Sequence, residues 1–113
     1  MAKKVTVKST TLDNYVTTRG FSCLNLLIKI DVEGAEADVF AGAKQILSQF
    51  RPFIIVECFD VSNLSGLKGA GYLAYLLPEN SNHLLIPKER ECECRTWGIL
   101  TDDTPLDLDR MAC

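Results

Sequence analysis

The sequence predicts an α/β domain whose central strands run parallel. Residues 26–30 and 53–59 are apolar runs, broken only by Lys29 and Glu57, and such runs suit strands covered on both faces. Residues 35–50, between them, carry helical spacing, and a strand–helix–strand unit with a right-handed crossover makes its two strands parallel neighbours. Each strand also delivers acids to its carboxyl end: Asp31 and Glu33 after the first, Glu57 near the end of the second. In open α/β sheets the crevice beyond those ends takes the ligand.

Residues 5–8 (Val-Thr-Val-Lys) alternate apolar and polar and read as a short strand. Leu12, Tyr15 and Val16 then share one helical face, with Thr10 or Thr11 as N-cap and Gly20 as the stop. Asp13 is an acid in that helix's first turn, a favourable place against the helix dipole.

The central strand spans residues 24–32. Asp31 and Glu33 are two residues apart, so on an extended chain they point to the same side. Gly34 permits a sharp exit. The following helix places Val39, Phe40, Ala43, Ile46, Leu47 and Phe50 on one stripe, has Glu36 and Asp38 in its first turn, and ends before Pro52.

Residues 60–71 are loop-like and glycine-rich, with Leu64 and Leu67 able to dock a short helical turn. Residues 72–77 and 83–86 flank a turn rich in Pro, Asn and Ser, which predicts a β-hairpin. Beyond Pro87 the chain becomes charged, giving a division into 1–87 and an extension, 88–113, whose Trp97 segment can pack on the body.

Composition narrows the function classes. Hydrophobic residues make up 47% and charged residues 24% of the 113, enough for a folded core. A net charge of −3 with mixed signs builds no phosphate-tracking stripe, so a nucleic-acid partner is disfavoured. No apolar run approaches the roughly 18–20 residues of a membrane span. The start Met-Ala-Lys-Lys lacks the apolar centre of a secretory signal, so an intracellular, cytoplasmic protein without a membrane partner is expected. Five scattered cysteines fit reduced thiols, with Cys58 a small buried residue. Cys92 and Cys94 with His83 make half a zinc site at most, and nothing else calls for a metal.

Several short motifs occur in a set order: Thr10-Thr11-Leu12-Asp13, then Leu27-Ile28-Lys29-Ile30-Asp31-Val32-Glu33-Gly34-Ala35-Glu36, then Gly42-Ala43, Arg51-Pro52-Phe53-Ile54-Ile55-Val56-Glu57 and Gly71-Tyr72. In order and spacing this set resembles the FkbM family of S-adenosylmethionine-dependent methyltransferases. The resemblance implies a partial Rossmann-like class I methyltransferase sheet, with the distal strands, one main crossover helix and a terminal β-hairpin. It implies methyl transfer from S-adenosylmethionine to an oxygen of a small molecule or sugar. Asp31 and Glu33 become the catalytic candidates, Glu57 a substrate contact and Asp13 a lesser candidate for the cofactor.

Plainer roles stand beside these. Asp31 can cap backbone N–H groups, Glu33 can pair with Lys29, and Asp13 can serve only its helix. The family's main glycine-rich cofactor loop has no counterpart here. The cluster Gly66, Gly69 and Gly71 follows a loop and precedes a strand, whereas such a cradle runs from strand to helix. The chain therefore reads as the distal half of the domain, with an open sheet edge suited to self-association or to a complementing N-terminal half. The competing reading is a non-catalytic α/β scaffold that associates through that edge.

Overall fold

The computed structural model describes residues 4–21, 25–78, 82–98 and 104–111. They form a mixed α/β fold around one five-stranded sheet. The strands are β1 (Leu27–Ile30), β2 (Phe53–Glu57), β3 (Tyr72–Leu76), β4 (Asn82–Pro87) and β5 (Leu106–Asp107), in the order β1-β2-β4-β3-β5. β1 and β2 pair in parallel, Leu27 opposite Phe53 and Ile30 opposite Val56. β4 runs antiparallel to both β2 and β3, so β3 points the same way as β1 and β2. The predicted hairpin is present, with β4 inserted between its partner and the parallel pair.

The helices are α1 (Leu12–Arg19), α2 (Glu36–Ala41), α3 (Lys44–Gln49) and α4 (Glu91–Thr96). One sheet face buries Ile54, Val56, Tyr72 and Leu85 against Phe40, Leu47 and the 3-10 helix Val61–Leu67, whose Leu64 and Leu67 are fully buried. The other face packs Leu73, Tyr75, Leu84 and Ile86 with Cys94 of α4. On that side the Tyr75 hydroxyl donates to Glu91, and burial together with that carboxylate pushes its pKa up to about 12.

Three expectations need correction. Residues 4–10 form no strand, and Val5 and Val7 are 77% and 76% exposed: alternation makes a strand only where another strand supplies the hydrogen bonds. The central strand ends at Ile30 rather than residue 32, while residues 22–24 lie outside the described set. The single helix over 35–50 is two helices, α2 and α3, broken at Gly42-Ala43.

Asp13 explains that break. Its N–H donates to the Gly42 carbonyl (2.9 Å), and its carboxylate accepts from the N–H groups of Gln45 (3.0 Å) and Ile46 (2.9 Å). In a continuous helix those groups would bond within the helix. Asp13 instead caps α3, whose own N-cap, Ala43, has no capping side chain. α1 is itself capped by the Thr11 side chain and closed by Gly20 in the left-handed region, as predicted. Its approach requires a glycine at 42, where an added Cβ would lie 2.9 Å from Thr11 Cβ.

A second interlock closes the amino ends of β2 and β3. The Arg51 guanidinium forks onto Glu89 (2.7 and 2.8 Å) and donates to the carbonyls of Ala70 and Gly71. It also lies 4.9 Å from the centre of the Tyr72 ring, and the Tyr72 hydroxyl donates to the Pro52 carbonyl (2.7 Å). Residues 88–98 and 104–111 fold onto the body, with Leu108 in the main core and β5 paired to β3. Trp97 is exposed, and Ile99 and Leu100 lie outside the described residues.

Candidate active site at the carboxyl ends of the parallel strands

β1 and β2 end side by side, and their carboxyl ends carry Asp31, Glu33 and Glu57 as the sequence suggests. Asp31 and Glu33 are exposed and Glu57 is half-buried opposite Asn82 of β4. No ion pair or side-chain hydrogen bond engages any of the three among the described residues. The Lys29 pairing considered for Glu33 is therefore not formed.

The path from Asp31 to Glu33 differs from the extended one expected. Ala35 N–H donates to the Val32 carbonyl (3.3 Å), closing a tight turn over residues 32–35. Both central residues have positive φ, Glu33 at 42° and Gly34 at 97°, the signature of a type I′ turn. Strand alternation thus stops governing side-chain direction before Glu33. Gly34 adopts its conformation freely, whereas Glu33 bears a cost on the order of 1 kcal/mol for a left-handed L residue.

Glu36, the first residue of α2, is the site residue that sequence reasoning passed over as an ordinary first-turn acid. It is 2% exposed. Its Oε1 accepts the Gly34 N–H (3.2 Å), and its buried Oε2 has no partner among the described residues. The missed signal was its spacing: three and four residues before Val39 and Phe40, Glu36 lies on the apolar stripe. Behind it, Cys58 is buried as predicted, and its Sγ donates to the Asp60 carbonyl (2.8 Å). Burial pushes the Cys58 thiol up, and the negative charge of Glu36 adds to the effect.

The other candidates go elsewhere. Asp13 is engaged at the cap of α3. His83 stands opposite Val56 on the helix-covered face, whereas Cys94 belongs to the cluster on the other face and Cys92 is exposed. These three do not meet, so the zinc alternative fails, and no metal-holding cluster occurs among the described residues. The glycine cluster binds the chain's own acid: Gly69 N–H (2.8 Å) and Gly71 N–H (3.2 Å) both donate to Asp109. A cavity of about 640 Å³ opens beside it, lined by Lys44, Arg51, Lys68 and Asp109, at the end of the sheet opposite the free acids.

Unpaired carboxylates thus stand at the carboxyl ends of the parallel strands, the end of an open α/β sheet where ligands are generally found. The model of the methyltransferase FkbM domain matches residues 2–82. The chain belongs to the FkbM methyltransferase domain family, and so to a family of transferases. No curated protein and no solved structure matches it significantly. No helix among the described residues is long and apolar enough to cross a membrane.

Proposed function

We propose that the chain is part of an S-adenosylmethionine-dependent methyltransferase that methylates an oxygen of a small molecule or sugar at the carboxyl ends of β1 and β2. The observation that carries this reading is the family motif's position. Asp31 and Glu33, from its most distinctive run, lie unpaired and exposed at the strand ends. The antiparallel insertion of β4 between β2 and β3 is in keeping with the distal half of a class I methyltransferase sheet.

The residues present suit such a donor in charge, because carboxylates favour a cationic sulfonium and ammonium. They offer no glycine-rich strand–loop–helix cradle, because the N–H groups of Gly69 and Gly71 are held by Asp109. A complementing N-terminal half would supply that cradle. When bound, S-adenosylmethionine brings a methyl group already activated on sulfur. The chain's work is then alignment and proton removal. Asp31 would accept the acceptor hydroxyl's proton at its carboxylate, so that the oxygen is freed for the methyl group. Glu33 would orient the acceptor, and Glu57, at the end of the neighbouring strand, would contact it.

A second reading, a scaffold that associates through its sheet edge, is favoured by β1. Among the described residues it pairs on one side only, and Leu27 is 62% exposed. Calorimetric titration with S-adenosylhomocysteine separates the two. Saturable one-to-one binding by the chain, alone or with a complementing half, supports the enzyme. A cooperatively folded chain that binds nothing in either setting leaves the scaffold.

A further inference from the structure

We propose that Glu36 is a positioning residue of the crevice, holding the turn over residues 32–35 in the left-handed form that presents Asp31 and Glu33. The proposal rests on the methyltransferase reading for its consequence and on geometry for its substance. The turn needs two successive residues at positive φ, and only one of them is a glycine. Glu33 in that conformation persists only where something outside the turn fixes it. The only side chain bonded to the turn among the described residues is Glu36, which reaches back from α2 to the Gly34 N–H. A carboxylate makes the stronger kind of acceptor for such an N–H.

Stability alone does not account for a carboxylate at this position. Residue 36 begins the apolar stripe that packs α2 on the sheet, and its second oxygen is buried without a partner among the described residues. A buried, unpartnered polar oxygen disfavours the folded state, and an apolar side chain would pack there without that cost. Behind the turn Cys58 is buried, and burial, with the charge of Glu36 adding to it, pushes its thiol up. The arrangement weakens the core in order to fix the segment between Ile30 and Ala35, where both candidate catalytic acids sit.

Glu36→Gln and Glu36→Ala, compared with the unaltered chain by NMR, test this directly. The expected result is a graded series. Both variants stay folded. The Gly34 amide proton moves upfield, further in Ala than in Gln, and the strong intraresidue amide-to-α-proton contact of a left-handed Glu33 weakens in step. Where the complemented chain transfers methyl groups, kcat falls in the same order, by about a hundredfold in Glu36→Ala, with KM for the methyl donor unchanged. Folded variants with the Gly34 and Glu33 signals unmoved overturn the proposal. So does an unfolded Glu36→Gln, because the carboxylate would then hold the fold and not the turn. A complemented chain that transfers no methyl group at all defeats the methyltransferase reading, while the NMR comparison still decides what holds the turn.

Discussion

At the amino ends of β2 and β3, Arg51, Glu89, Lys88 and Asp109 all find partners; at the carboxyl ends of β1 and β2, Asp31, Glu33 and Glu57 find none. Arg51 of the first group and all three acids of the second come from the same set of short motifs, and that set sorts by location. Thr11, Asp13 and Gly42 interlock α1 with the α2–α3 break, and Arg51, Pro52, Gly71 and Tyr72 interlock the feet of two strands. The run from Asp31 to Glu36 locks nothing except its own turn. Charges that serve the fold are expected to be paired, and local rules are broken where a site needs them broken. The contrast ties the amino end to stability and leaves the carboxyl-end acids free for the chemistry proposed above.

The contrast is easiest to break at Arg51. Arg51→Ala removes the fork to Glu89, the bonds to two carbonyls and the stacking on Tyr72, and should cost about 3 kcal/mol in urea unfolding. Arg51→Lys keeps the charge but not the fork and should recover less than half of that. A loss below about 1 kcal/mol for Arg51→Ala would mean that the amino end is not a structural lock. Next is Gly42→Ala. Its new methyl meets Thr11 at 2.9 Å, so α1 must move away from the helix break, at a cost of about 2 kcal/mol in the same assay.

Asp109 gives a smaller, pH-dependent effect. Lys88 holds its carboxyl below the ordinary 3.8, with the Gly71 and Gly69 N–H groups adding to the shift. Arg51 likewise lowers Glu89 from its ordinary 4.5. A lowered folded-state value means that the folded chain binds the proton less readily than the unfolded chain. The stabilisation is therefore complete above the unfolded values, near neutral pH, and is lost as pH falls below 4 through the folded ones. Asp109→Asn should lower stability by about 1 kcal/mol at neutral pH, and its acid unfolding curve should be shallower than that of the parent chain. Parallel acid curves for the two proteins would remove Asp109 from the lock.

What the sequence disclosed follows the same division. Apolar periodicity found the parallel pair and the hairpin, because each strand buries a face and burial leaves a repeating pattern. It missed the break between α2 and α3, because the cap there comes from Asp13, more than 30 residues away, and no local window contains it. It read residues 5–8 as a strand because alternation does not report whether a pairing edge exists. At the site, the motif located Asp31 and Glu33. The shape of their turn was hidden, because a glutamate at positive φ goes against its own propensity. Glu36 was masked for the opposite reason: a helix's first turn is where an acid is ordinary, which outweighed the one local trace of its burial, its place on the apolar stripe.

The smallest stability effects belong to the carboxyl end, and they sharpen the comparison most. Asp31→Asn and Glu33→Gln remove side chains that are exposed and bonded to nothing among the described residues. Each should change unfolding free energy by less than about 0.5 kcal/mol, the range of surface substitutions away from special features. The direction should be slightly stabilising, because each removes one of several like charges gathered at the strand ends. Methyl transfer by the complemented chain should meanwhile fall by about a hundredfold or more for Asp31→Asn, the range for removing a general base. A residue whose loss leaves the fold untouched and stops the reaction is there for the reaction. If instead Asp31→Asn destabilised the chain as Arg51→Ala does, the two ends of the sheet would be alike, and the crevice would lose its claim to be a site.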